Sequence, residues 1–398
     1  MRVSTNQINM RAVNSMLDQQ GKLSDIQNRL ASGKRILSPA DDPIASGQSL
    51  SINQSISVAE QYQSNSDIAK SRLSLEESTM QSASLILNRV RELAIQGNNA
   101  TSSDADRKLI ALEMKERLDE LLSVSNTRDS NGEYIYAGFQ GATQPFIKDG
   151  SGGFTYLGDE GQRLLQIGTA RTVALGDSGK DVFLEIRNGN GIFSVTDNPA
   201  NTGTGVIDNG SLANGVSWNP DTYTITFTSA TAFEVRDSGN NLVLSSTYTD
   251  NALISFNGVN TSIKGAPSTG DVFTVSPSMN QGMLTTVQNI ITAFEFSTSG
   301  VSGTAPLNNS ASQFLTDIDQ ALDNVHNIRA SIGARLNTVE AQKDQNETRI
   351  INAKQDLSEL VDLDYVKAIS DLNLQRIGLE SAQKTYIQIQ GLSLFNYL

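Results

Sequence analysis

The sequence predicts an α+β protein. N- and C-terminal helices pair as an antiparallel coiled coil or helical bundle, and a β-rich outer domain is inserted between them. Helix-breaking residues are concentrated in the middle of the chain: residues 139–306 hold 22 of the 31 glycines and six of the eight prolines. Only one aromatic residue, Tyr62, precedes residue 134. Two helix-forming arms therefore flank a turn-rich segment.

The first arm contains a long predicted helix. Asp42 is placed to cap its N-terminus, Pro43 suits the first helical position, and Gly97 suits the end. Small and apolar residues recur in steps that alternate between three and four, which predicts a coiled-coil seam. The seam positions are Ile52, Ser55, Ala59, Tyr62, Ser66, Ala69, Leu73, Glu76, Met80, Ala83, Leu87, Val90 and Ala94.

A capping box at Ser103-Asp104-Ala105-Asp106 opens a further predicted helix. The C-terminal arm then repeats the heptad pattern in two runs. The first run is Phe314, Ile318, Leu322, Val325, Ile332, Leu336 and Val339, and the second is Leu357, Leu360, Val361, Tyr365, Ile369, Leu372, Leu379, Tyr386 and Ile389. Because such a narrow apolar stripe needs a partner helix, we expect the two arms to pair.

The segment between the arms contains short β-branched and aromatic runs separated by turn clusters such as 237–241. The predicted strands are 154–157, 164–167, 181–186, 223–228, 233–235, 242–244 and 271–275, and a helix is predicted at 283–296. We predict three domains. They are a terminal coiled-coil core (1–42 and 358–398), a helical rod domain with β-hairpins (43–180 and 278–357) and a β-rich outer domain (181–277).

The composition argues against several classes of function. The chain has no cysteine and one histidine, His326, so disulfides, thiolate chemistry and multi-histidine metal sites are excluded. Its formal net charge is −13 at pH 7, and it lacks an apolar run of about 18 residues, so neither nucleic acid nor a membrane is a predicted partner. Residues 1–10 lack the apolar segment of a secretory signal peptide.

Motifs of enzymes and cofactor sites are not found either. Phosphate-binding and dinucleotide-binding loops do not match, and the segment 129–133 has only part of a calcium-loop pattern, so we interpret it as a turn. We predict no catalytic, metal-binding or cofactor-binding residue, no cofactor and no enzymatic activity. A secreted enzyme in the insert is the alternative from another class, and it needs a carboxylate pair or a metal cluster converging within 139–300.

Three stretches resemble the bacterial flagellins and their hook-associated relatives. Residues 30–47 carry the Ser-Gly, Arg-Ile and Asp-Asp pairs that precede a long helix in that family. Residues 134–146 resemble the segment after the second long helix, and residues 392–398 resemble the C-terminal end. Pro43 and the Phe-Asn-Tyr-Leu ending are similar to the hook-associated branch rather than to filament flagellins.

This resemblance implies a structural protein of the bacterial flagellum. The expected role is a junction adaptor that joins the hook, through the preceding hook-associated protein, to the flagellin filament by coiled-coil packing of its termini. The implied partners are copies of this chain in a ring of the tubular axial structure, a neighbouring hook-associated protein, flagellin and a flagellar export chaperone. The implied location is extracellular, reached by flagellar type III export. A flagellin filament subunit is the alternative.

We predict that subunits contact one another through the terminal segments. The predicted interface residues are Leu23, Ile26, Leu30, Arg35, Ile36, Asp41, Asp42, Leu357, Leu360, Val361, Leu372, Leu379 and Ile389. For Arg35, Asp41 and Asp42, contacts between subunits and local capping fit the sequence equally well.

One further segment, residues 87–96, resembles the flagellin helix that an innate immune Toll-like receptor contacts. That resemblance implies a receptor contact through Arg89 and Leu93, should both be exposed in the monomer.

Overall fold

The computed structural model describes residues 5–150, 152–296 and 303–391. The described residues form two compact units, one from those within 1–64 and 342–398 and the other from those within 65–341. Helices form the N- and C-terminal regions, and antiparallel sheets lie between them, so the predicted α+β class is confirmed. The division into three domains stays a prediction. The helices are α1 (Thr5–Ser32), α2 (Pro43–Gly97), α3 (Asp104–Ser125), α4 (Gly179–Phe183), α5 (Met283–Glu295), α6 (Ala305–Val361) and α7 (Tyr365–Gly391).

The long helix α2 begins and ends where its sequence predicts. The Asp42 carboxylate accepts a hydrogen bond from the Ala45 backbone N–H at 3.0 Å, and Pro43 is the first helical residue. The helix ends at Gly97, where any Cβ would lie 2.3 Å from the Phe294 ring. Every predicted seam position of α2 is buried or half-buried. The predicted seam is therefore the buried side of α2 along its whole length.

In the second unit, α2 and α6 run antiparallel. Three ion pairs join them: Lys70–Glu340 (2.8 Å), Glu77–Arg329 (2.7 Å) and Arg91–Asp319 (2.8 Å). In these three pairs the residue numbers decrease along α6 as they increase along α2, so the two helices run in opposite directions. Between the helices, apolar side chains of α2, α3, α5 and α6 form a continuous core. Exposed ion pairs contribute little stability, so the bundle is held together mainly by burial of the apolar side chains.

Two hairpins and a short helix cover one side of this core. The hairpins pair β1 (Phe146–Lys148) with β2 (Phe154–Tyr156) and β3 (Leu164–Gly168) with β4 (Arg171–Ala174). The strand predicted at 181–186 is wrong, because α4 occupies its first half. The Ser178 hydroxyl caps α4 by accepting from the Asp181 N–H at 3.2 Å. The consecutive residues Val182 and Phe183 are both fully buried in the helical core.

The inserted β region has its own apolar core. One sheet has the order β10-β9-β8-β13-β5, and a second has the order β11-β12-β6, with β7 also paired to β12. The strands are β5 (Phe193–Asp197), β6 (Val206–Ile207), β7 (Ser211–Leu212), β8 (Tyr223–Ser229), β9 (Ala232–Arg236), β10 (Leu242–Thr247), β11 (Leu253–Phe256), β12 (Val259–Lys264) and β13 (Val272–Pro277). The predicted strands at 223–228, 233–235, 242–244 and 271–275 are confirmed. Strands β5, β6, β7, β11 and β12 were not predicted.

Candidate assembly surface

The terminal helices α1 and α7 pack along each other in antiparallel orientation. A Cβ added at Gly33, just after α1, would lie 2.8 Å from the Tyr365 hydroxyl at the start of α7. A Cβ added at Gly378 would lie 3.8 Å from the Gln19 amide nitrogen. These two approaches fix the direction and register of the pair.

The facing sides of α1 and α7 form a heptad seam. Its positions are at least half-buried and follow alternating steps of three and four residues. They are Ala12, Met16, Gln19, Leu23, Ile26 and Leu30 on α1, and Ala368, Leu372, Gln375, Leu379, Ala382 and Tyr386 on α7. Five predicted interface residues therefore lie in the seam within one chain. The side chain of the predicted residue Ile389 lies outside the described part of the structure.

The outer face of α7 is also apolar, which our prediction missed. Val366 is 82% exposed and Ile377, three turns later, is 56% exposed. Ile369, Leu374 and Ile387 are exposed beside them, and Met10, Val13 and Leu17 form a similar exposed stripe on α1. We call these eight residues the outer stripe. At 3.6 residues per turn, five of them lie roughly opposite the seam, and Val13, Ile369 and Ile387 lie about 100° from it. Each helix therefore has apolar residues outside the seam as well as in it.

The sequence pattern placed Tyr365 and Ile369 in the seam, and this prediction is wrong for Ile369. Both side chains are about half exposed, at 52% and 49%. Ile369 follows the seam position Ala368 by one residue, which turns its side chain about 100° away from the seam. Tyr365 is the first residue of α7, and its hydroxyl lies beside Gly33 at the end of the helix pair. The signal that could have revealed the outer stripe was the presence of large apolar residues on both sides of one helical wheel.

The joint between the helices is built from backbone hydrogen bonds. Arg35 donates its N–H to Val361 O at 2.8 Å, and Leu363 donates to Gly33 O at 2.9 Å. The Arg35 guanidinium also donates to Leu360 O at 2.8 Å. Of the predicted residues here, Ile36, Leu357, Leu360 and Val361 are half-buried. The structure thus brings the predicted residues of 35–36 and 360–361 together within one chain.

The two acidic residues of the joint act locally. Asp41 accepts hydrogen bonds from the N–H groups of Leu37 and Ser38, each at 2.9 Å. These bonds, together with the Arg29 charge, hold the pKa of Asp41 below its usual value. Asp42 caps α2 and lies 3.5 Å from the Arg35 guanidinium. The capping interpretation is therefore confirmed, whereas contacts to another subunit remain a prediction.

The predicted receptor contact fails at one of its two residues. Leu93 is 1% exposed, because it faces the helical core of the second unit. Arg89 is exposed, and its guanidinium pairs with Glu113 at 2.7 Å and Glu92 at 3.1 Å. A surface that uses Leu93 in the folded monomer is thus excluded, and the Arg89 contact stays a prediction.

The segment 129–133 forms the expected turn. The Asp129 carboxylate accepts from the N–H groups of Asn131 at 2.9 Å and Glu133 at 3.0 Å, and it pairs with Arg72 at 3.2 Å. Across the described ranges, no three His, Asp or Glu side chains gather in a way that could hold a metal ion. None of the described helices combines the length and the apolar character needed to cross a bilayer.

Known proteins resemble this chain over its whole length. The models of the bacterial flagellin N-terminal and C-terminal helical regions match residues 3–141 and 315–398. Flagellar hook-associated protein 3 of Escherichia coli is 24% identical over 395 residues, 99% of each chain. A crystal structure of flagellar hook-associated protein-3 from Legionella pneumophila is 33% identical with a TM-score of 0.75, covering 78% of this chain and 98% of that one. Phase 1 flagellin of Salmonella naestved is 35% identical over 132 residues, 33% of this chain and 26% of that protein.

Proposed function

The chain belongs to the bacterial flagellin family, within the branch of flagellar hook-associated protein 3, and we propose that it is the adaptor between hook and filament. In this role it joins the preceding hook-associated protein to the first flagellin subunits. Membership in this family places it among structural proteins of the flagellum that assemble with other flagellar components. The finer assignment of its neighbours is our inference.

The extent of the similarity favours the adaptor over a filament subunit. Hook-associated protein 3 matches from end to end, whereas the flagellin match covers a third of the chain. The central insert therefore has a counterpart in the hook-associated protein, whereas the flagellin family models match only the flanking helical regions. Flagellin itself remains the alternative function.

The outer stripe is the surface that we propose for assembly between copies of this chain. The seam already occupies one side of α1 and α7, so the exposed apolar side chains on the other side need a further partner. Full burial of each Val, Ile or Leu contributes about 1.5–3 kcal/mol, before the entropy lost on association is subtracted. We infer that copies of this chain pack these stripes side by side in a ring around a channel. The predicted interface residues then act in two groups, with the seam residues holding the helices in register and the joint residues fixing their connection.

The proposed function also requires the chain to leave the cell. We infer that the chain leaves the cell through the flagellar type III apparatus, with an export chaperone on its C-terminal region. Neither nucleic acid nor a membrane is required as a partner.

Genetic complementation tests the adaptor. A strain that lacks this gene receives either the parent chain or the double variant Val366→Asp/Ile377→Asp, and filaments on hooks and flagellin in the medium are measured. We expect the variant to be exported but to leave hooks bare, with flagellin lost to the medium. Ser381→Asp, an exposed polar position of α7, is the matched control and should support filaments. Normal filaments with the double variant would contradict the assembly role of the stripe.

Purified protein separates the two candidate functions. An adaptor added to filament seeds should leave their length unchanged, because its partners on the two sides differ. A filament subunit should elongate the seeds. Elongation into long filaments by this chain alone would favour the flagellin alternative.

A further inference from the structure

The chain contains six Asn-Gly dipeptides, at 131–132, 188–189, 190–191, 209–210, 214–215 and 257–258. Glycine lacks a Cβ, so its backbone nitrogen can approach the side-chain carbonyl of the preceding asparagine more easily than that of any other residue. Attack by this nitrogen requires an N–H that is not committed to another acceptor and an asparagine side chain that can move. The six sites share the same chemistry, so the fold decides which of them reacts.

The 188–191 and 209–210 sites are held by hydrogen bonds. Gly189 donates its N–H to the buried Asp317 carboxylate at 2.7 Å. Asn190 Oδ1 accepts from the Phe193 N–H at 2.9 Å. Asn209 Nδ2 donates to Ser312 O on α6 at 2.9 Å. These contacts hold either the attacking nitrogen or the side chain that it would attack.

Two exposed asparagines are held as well. Gly132 donates its N–H to Asp129 O at 3.0 Å, so the nitrogen after Asn131 is committed to the turn. Asn257 Nδ2 donates to the Tyr223 hydroxyl at 3.1 Å, and Gly258 is buried. Exposure of the asparagine alone therefore does not decide which of the six sites reacts.

The 214–215 site differs from the other five. Asn214 and Gly215 are both exposed, in the loop between β7 and β8. Among the described residues, neither the Asn214 side chain nor the Gly215 N–H has a hydrogen-bond partner. A Cβ at Gly215 would meet no atom within 4 Å, and one long bond, from Val216 N–H to Ala213 O at 3.3 Å, closes the turn. Both requirements for the attack are met here.

We propose that Asn214 is a site of spontaneous deamidation in the folded protein. The Gly215 nitrogen forms a bond to Cγ of Asn214, the Cγ–Nδ2 bond breaks, and the proton from Gly215 leaves with the amide group as ammonia. Water then opens the cyclic imide at either carbonyl, which gives aspartate or isoaspartate. No oxidant or enzyme is needed, since water is the only co-reactant.

The product changes the outer β region in two ways. One negative charge is added to a segment that already has an excess of acidic residues, nine against three basic residues in 181–277. Isoaspartate additionally inserts a methylene group into the main chain at the turn. The modification therefore marks the age of each chain and alters its outer surface.

Incubation of the full-length protein in mildly alkaline buffer prepared with heavy-oxygen water tests this proposal. Peptide mass spectrometry then follows heavy-oxygen incorporation at all six asparagines, in the folded and in the urea-unfolded chain. In the unfolded chain we expect the six sites to react at similar rates. In the folded chain Asn214 should keep its unfolded rate, while the other five should be slowed severalfold or more.

A matched variant isolates the attacking group. Gly215→Ala leaves Asn214 in place and introduces a Cβ beside the nitrogen, so incorporation at residue 214 should fall strongly. Asn131, which is exposed but followed by a bonded glycine nitrogen, is the internal control. Equal rates at Asn131 and Asn214 in the folded chain, or no incorporation at Asn214, would overturn the proposal.

Discussion

The Glu76 carboxylate of α2 accepts a hydrogen bond from the Asp177 backbone N–H at 2.8 Å, through Oε1. Its second oxygen, Oε2, is buried and has no hydrogen-bond partner within the described residues. Burial, and secondarily the nearby Asp177 carboxylate, raises the pKa of Glu76 to about 8, although Arg335 and Arg72 oppose the shift. Glu76 is thus a mainly neutral acid at neutral pH, placed on the buried side of α2.

Replacing Glu76 by glutamine should flatten the pH dependence of stability. The folded-state pKa of about 8 lies above the ordinary value of 4.5, so the folded chain binds the extra proton. The free energy of unfolding of the parent therefore falls as pH rises from about 4.5 towards about 8, and this contribution is lost above that range. Glu76→Gln stays neutral and keeps an acceptor for the Asp177 N–H. Thermal unfolding measured from about pH 5 to about pH 9 should show a smaller decline for the variant.

A surface carboxylate provides the comparison for that experiment. Glu116 is exposed on α3, so Glu116→Gln should reproduce the pH profile of the parent. Parallel profiles for the parent and Glu76→Gln would show that Glu76 is ionised in the folded protein across this range.

The joint after α1 should not tolerate a side chain at Gly33. Its φ of +72° lies in the left-handed region, and a Cβ would lie 2.8 Å from the Tyr365 hydroxyl. Gly33→Ala is expected to destabilise the first unit by about 1–2 kcal/mol from the backbone alone. Gly47→Ala, at an exposed site in α2 with no atom within 4 Å of the new Cβ, should instead stabilise by up to about 1 kcal/mol. Urea unfolding followed by circular dichroism measures both, and equal effects of the two substitutions would contradict the assigned joint geometry.

The seam and the outer stripe can be separated with two leucines of α7. Leu372 is half-buried against α1, whereas Leu374 is 64% exposed. Leu372→Ala should cost about 1–2 kcal/mol, less than a fully buried leucine, and should lower the unfolding midpoint of the terminal helices. Leu374→Ala should leave that midpoint within about 0.5 kcal/mol and act on assembly instead. Hydrogen exchange of the α1 amides distinguishes the two effects, and identical exchange in both variants would contradict the seam.

The parts of the fold that sequence analysis predicted are those with local causes. Asp42, Pro43 and Gly97 set the limits of α2 through a cap, a fixed φ and a helix stop, all readable from neighbouring residues. The heptad steps similarly identified the buried face of α2. Glu76 shows the limit of this approach, because its neutral state depends on Asp177, which is about a hundred residues away in the sequence.

The outer stripe could not be assigned for a related reason. A helix with apolar residues on two sides gives two candidate seams, and the sequence alone does not say which one the other arm occupies. Ile369, which follows the seam position Ala368 by one residue, was therefore assigned to the seam although it is 49% exposed. The strand predicted at 181–186 failed because the helical core buries Val182 and Phe183 together.

In the capping box of α3, the hydrogen bond from the Ser103 hydroxyl should lower the pKa of Asp106 measurably. Ser103 Oγ accepts from the Asp106 N–H at 3.2 Å and donates to the Asp106 carboxylate at 2.7 Å, which also accepts from the Ser103 N–H at 3.0 Å. These bonds, the hydroxyl first, lower the pKa of Asp106 from 3.8. Ser103→Ala should therefore destabilise α3 by about 1 kcal/mol through the lost cap, and it should raise the pKa of Asp106 towards 3.8. Carbon-detected NMR titration of the Asp106 carboxyl measures the shift, with Ser123→Ala, an exposed position of the same helix, as the control. An unchanged Asp106 titration in Ser103→Ala would show that the hydroxyl does not act on the carboxylate.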